Sequence, residues 1–132
     1  MCSGRGTGAS RTLAVVCLSL ALGFATPARA ADPLGDHARQ AKKPFVVDFG
    51  MTRCSQCIEQ GKVMERIRTT LGDRLLTRFV HIGKEGALAG QYKVVLIPTI
   101  VVFDAQGREA FRNVGFVPYD ELTGKLKELR LL

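Results

Sequence analysis

No block of like charges, no internal repeat and no low-complexity segment occurs in the 132 residues. Basic and acidic side chains alternate from Lys62 to Arg78, the pattern of a solvated helix face, which argues against a nucleic-acid or membrane patch. Histidine is nearly missing: His37 and His81 are the only two. Neither stands at finger-like spacing from a cysteine, so a four-ligand zinc site lacks donors and no metal is expected. Cysteine is scarce too. Of the four present, Cys2 and Cys17 lie near the start, which leaves Cys54 and Cys57, too few for a disulfide-dense secreted scaffold. The longest apolar stretch, Thr12 to Ala25, has ~14 residues against the ~20 needed to span a bilayer.

That stretch has its own explanation. Arg5 and Arg11 form a basic start, the apolar run follows, and Ala28-Arg29-Ala30 is a small-x-small cleavage signal. Residues 1–30 therefore read as a secretory signal peptide, with an uncleaved N-terminal anchor as the alternative, so export is expected. Residues 31–132 then form one domain. Removing Arg5, Arg11 and Arg29 leaves 16 basic against 12 acidic residues, so the net charge falls from +7 to +4.

Within that domain the elements alternate. Ala31 to Asp36 reads as an irregular leader, followed by a helix with Asp36 as its N-cap and ended before Pro44. Phe45-Val46-Val47-Asp48-Phe49 is apolar enough for a strand covered on both faces. From Cys57 onward Ile58, Met64, Ile67 and Leu71, with small Gly61, follow helical spacing, and Gly72 is placed to stop the helix. Leu75 to Ile82 is a second strand, and a short helical piece ends near Tyr92. Pro98 cannot donate to a ladder, so the third strand starts at Thr99 and runs to Phe103. Asp104 to Gly107 turns the chain back into Arg108 to Val114, and Pro118 opens a last helix with Leu122, Leu126 and Leu129 on one face.

Cys54-Ser55-Gln56-Cys57 thus sits where a strand ends and a helix begins. Two thiols so spaced can close a small disulfide, with the first sulfur near the unpaired N–H groups of the helix start. A structural cysteine pair and a two-thiolate copper site remain open on the residues alone, since soft thiolates suit Cu(I). Covalent haem is disfavoured because Ile58, not histidine, follows Cys57. His81 reads as a strand residue with a satisfied hydrogen bond.

Val47-Asp48-Phe49 before the pair, Ile97-Pro98-Thr99 before an apolar strand, and Val114-Gly115 before the final helix resemble thioredoxin-superfamily motifs in register. Gly115-Phe116 and Phe103-Asp104-Ala105-Gln106-Gly107 look most like the periplasmic thioredoxin-like domains of thiol-disulfide reductants. The resemblance implies an α/β thioredoxin fold: a mixed sheet of about four strands flanked by helices, with a shortened N-terminus. It implies an enzyme without a cofactor, in which Cys54 attacks a client disulfide, Cys57 resolves the mixed disulfide, and Asp48 relays a proton through water. It makes Pro98 a cis proline, with Ile97 pairing to the substrate chain. Arg53, Ser55 and Gln56 would tune the pair, Arg53 by offering a cation to the Cys54 thiolate.

The departures are specific. The lysine that partners the buried acid in thioredoxin aligns with Phe79, the two usual tryptophans with Gly50 and Arg53, and Gly-Pro between the cysteines with Ser55-Gln56. The helix-kinking proline is missing. The expected function is reduction of disulfides in periplasmic client proteins, recharged by a membrane-embedded thiol donor, by a monomer that binds no nucleic acid. A copper carrier, a chaperone module without turnover and a weak disulfide oxidase are the alternatives.

Overall fold

A computed structural model describes residues 30–132, so the signal-peptide reading lies outside the described residues. Among the described residues four helices, four strands and one short 3₁₀ turn alternate in the order α1 (Pro33–Ala41), β1 (Phe45–Gly50), α2 (Ser55–Leu71), the 3₁₀ turn (Gly72–Arg74), β2 (Leu76–His81), α3 (Gly86–Gln91), β3 (Thr99–Phe103), β4 (Glu109–Val114) and α4 (Tyr119–Glu128). The strands form one mixed sheet in the order β2-β1-β3-β4. β1 runs parallel to β2 and antiparallel to β3, and β4 closes the other edge antiparallel to β3. This is the expected mixed sheet flanked by helices.

β1 is buried along its whole length. A central strand with helices on both faces has no solvent side, which is why its sequence is nearly continuous apolar residues rather than an alternation. Its side chains nonetheless divide between two cores. Phe45, Val47 and Phe49 pack with Leu34, Ala38, Ala89 and Tyr92 on one face. Val46 lies on the other, with Met64 and Ile67 of α2 and Leu122 and Leu126 of α4. By the same alternation Asp48 faces the α2 side.

The N-terminus departs from expectation. The helix begins at Pro33, not after Asp36, and its cap is Asp32, whose side chain accepts the Gly35 N–H at 3.0 Å. Proline is pre-set for a first helical position and has no N–H to lose there, so Asp32-Pro33 makes the better start. Asp36 instead pairs with Arg39 one turn on. No irregular leader fills 31–36. Tyr92 secures this end from across the fold: its hydroxyl accepts the Leu34 N–H at 2.9 Å and donates to Asp32.

The phase of α2 is the second correction. Ile58 was expected on the buried face, yet it is 50% exposed, and Gly61 lies on the surface. The buried stripe is Cys57, Gln60, Met64 and Ile67. It is the regular continuation of the Met64–Ile67 spacing back toward the helix start. A polar Gln60 therefore occupies a core position.

Candidate functional site

Cys54 is the N-cap of α2, held at the end of β1 by the turn of residues 51–53. Its backbone is extended and its sulfur accepts the Cys57 N–H at 3.2 Å, so it occupies the capping role a serine or aspartate usually fills. The helix start concentrates unpaired N–H groups, which favour negative charge on that sulfur. Cys54 and Cys57 are joined in a disulfide with Cα atoms 5.1 Å apart. The two thiols are not equivalent: Cys54 is partly exposed, whereas Cys57 is 3% exposed beneath it.

Gly50 explains part of that burial. A Cβ built there would stand 3.2 Å from Cys57 Cβ, 3.3 Å from its Sγ and 3.1 Å from the Phe79 ring. The missing side chain at this position is what lets Phe79 and Cys57 close over the end of β1.

Asp48 lies two residues before Gly50, 1% exposed, with neither carboxylate oxygen hydrogen-bonded. In the parallel register it pairs with Phe79, so the neighbouring strand offers an aromatic ring where a cation could have stood. Burial without a charge partner penalises the carboxylate form and pushes its pKa from 3.8 up to about 7. Asp48 is among the residues lining a cleft of about 310 Å³, with Met64, Arg68, Arg78 and Phe79.

Phe49 pairs with Thr99, so Pro98 lies at the same end of the sheet as Gly50 and the turn into Cys54. The Ile97–Pro98 peptide bond is cis. Pro98 is buried and Ile97 half-buried, while Val95 and Leu96 just before them are 85% and 63% exposed. The Pro98 carbonyl accepts the N–H of Gly115, whose φ of +95° turns the chain out of β4. Arg53, Ser55 and Gln56 are exposed around the pair. Ser55 and Gln56 line a groove of about 450 Å³ together with Glu59 and Phe116. His81 does sit in β2, but its Nδ1 is buried without a partner, not hydrogen-bonded as expected. Among the described residues no group of three or more His, Cys, Asp or Glu side chains could hold a metal.

Gln60 carries no motif that marks it in the sequence. Its side chain is fully buried, accepts the Val117 N–H at 2.8 Å and donates to the Val117 carbonyl at 3.3 Å. The available signal was helical phase, since Met64 and Ile67 project back onto Gln60 and Cys57.

A family model described as the thioredoxin-like domain matches residues 35–130. The thioredoxin of Mycolicibacterium smegmatis is 32% identical over 93 residues, covering 69% of this chain and 82% of that protein. The chloroplastic thioredoxin Y of Oryza sativa is 25% identical over 88 residues; the match covers 67% of this chain but only 52% of that longer protein, so the chain spans about half its length. Among solved structures, chloroplastic thioredoxin z superposes with a TM-score of 0.65 at 21% identity, covering 72% of this chain and 86% of that one. At that identity the likeness concerns the fold.

Proposed function

Because the chain belongs to the thioredoxin-like family and is a thiol-disulfide oxidoreductase carrying the Cys54–Cys57 pair, we propose that it reduces disulfides in periplasmic client proteins after export. The observation that carries this reading is the asymmetry of the pair: a partly exposed Cys54 capping a helix above a buried Cys57. The exposed sulfur can reach a client, and the buried one can reach only its neighbour.

In the reduced protein Cys54 loses its proton and the thiolate attacks one sulfur of a client disulfide. A Cys54–client disulfide forms and the client's other sulfur leaves as a thiolate. Cys57 then gives its proton to Asp48 through water and attacks the Cys54 sulfur. The Cys54–Cys57 disulfide forms, the second client thiolate leaves, and two electrons have passed from the protein to the client. An acid with its pKa near 7 suits Asp48 to take that proton and return it near neutral pH. Ile97, just before the cis bond, offers backbone groups to an extended client segment. Arg53, Ser55 and Gln56, exposed around the pair, shift the balance between dithiol and disulfide, where ~30 mV corresponds to ~1.4 kcal/mol. A membrane-embedded thiol donor restores the dithiol, and the protein works as a monomer.

Export rests on the basic start, the apolar run and the small-x-small site of residues 1–30. A Cys57→Ser variant expressed as the full chain should accumulate mixed disulfides through Cys54, recovered from the periplasmic fraction and released by dithiothreitol. Recovery of no adduct, or of adducts in the cytoplasm alone, would defeat the proposal.

A further inference from the structure

Gln60 sits on α2 three residues beyond Cys57, at 0% exposure, and its amide makes two hydrogen bonds to one backbone unit, the N–H and the carbonyl of Val117. A side chain here imitates the pairing of a β-strand. A leucine or methionine would fill the same space without an amide to desolvate, so the glutamine contributes direction rather than burial.

What it directs is the segment of residues 115–117. Gly115 is tied on the other side: its N–H donates to the Pro98 carbonyl at 2.8 Å, and its own carbonyl accepts from Asn113 Nδ2 at 2.8 Å. Both neighbours of Phe116 are thereby fixed, and Phe116 itself projects at 42% exposure. It forms one wall of the 450 Å³ groove whose other lining residues, Ser55, Gln56 and Glu59, all come from the first turns of α2. The helix carrying the cysteines and the loop carrying the aromatic wall meet through Gln60, which sets the separation between them.

We propose that Gln60 is a positioning residue for client recognition: it holds Phe116 over the groove beside Cys54–Cys57, where an apolar side chain flanking the client's cysteine is received. This rests on the reading that the pair reduces client disulfides. Phe116 supplies apolar area for such a side chain, and the paired loop keeps that area pre-formed, so that less ordering accompanies binding.

The test compares a protein substrate with one too small to need the groove. The reduced full-length protein is assayed on insulin and on 5,5′-dithiobis(2-nitrobenzoate). Gln60→Met keeps the length of the side chain and removes both hydrogen bonds. It should raise KM for insulin about fivefold with kcat within about twofold, lowering the insulin-to-small-disulfide ratio of kcat/KM correspondingly. Phe116→Ala, an exposed position whose truncation leaves the core intact, should give a similar loss. The double variant should lose no more than the larger single one, as expected if both act through one contact. An unchanged ratio in Gln60→Met, an equal fall on both substrates, or additive losses in the double variant would overturn the assignment. Failure of the unmodified protein to reduce insulin while it reduces the small disulfide would instead overturn the reductase reading itself.

Discussion

Replacing Asp48 by asparagine should change how stability depends on pH more than it changes stability at any one pH. In the folded protein this carboxyl group titrates near 7, against 3.8 ordinarily, because it is buried with no cation and no hydrogen-bond donor beside it. Between those values the unfolded chain has released the proton while the folded chain still holds it. The unfolded state therefore binds fewer protons, and stability falls as pH rises, the loss being complete above pH 7. At ~1.4 kcal/mol per pKa unit, the stability lost between pH 4.5 and pH 8 through this group comes to about 3 kcal/mol. Asparagine cannot ionise, so the variant should gain that amount relative to the unmodified protein across the interval. Its own buried amide adds an offset that is the same at both ends. Urea unfolding of the oxidised proteins at the two pH values measures the difference, followed by far-UV circular dichroism because the chain has no tryptophan. Parallel stability curves, with the gap between the proteins constant to within ~1 kcal/mol, would refute the reasoning.

Two further perturbations test the frame around the site. Tyr92→Phe removes the acceptor for the Leu34 N–H and the donor to Asp32; it should cost about 1–3 kcal/mol in urea unfolding, and a loss below ~0.5 kcal/mol would mean that α1 is anchored otherwise. Gly50→Val places a branched side chain against Phe79 and Cys57, where a single Cβ already stands at 3.1–3.3 Å. It should destabilise the oxidised protein by about 1–3 kcal/mol, and a neutral result would show that the end of β1 has room.

The order of elements was legible because each carries its own local signal: the unbroken apolar run of β1, the proline before β3, the glycine after α2. The Cys pair and Asp48 were legible for the same reason, being fixed by position within or beside those elements. Misreadings arose where the deciding partner is distant in sequence. Pro33 favours Asp32 over Asp36 as the cap, and the bond from Tyr92, some sixty residues away, fixes that choice. Helical phase puts Gln60 on the buried stripe, but what its amide meets there is Val117, 57 residues away. His81 is a different case: its ring meets Phe79 only two residues away, and its Nδ1 is buried without a partner.

The cleft at Asp48 has a consequence for the order of events at the site. It opens between α2 and the edge strand β2, past Arg68, Arg78 and Phe79, while the groove walled by Phe116 opens on the far side of α2, toward the loop after β4. A client seated over Cys54 and Phe116 would cover the second opening and leave the first clear. Under the proposed mechanism proton traffic and client traffic would use separate faces of the molecule, and resolution would not have to wait for the client to move.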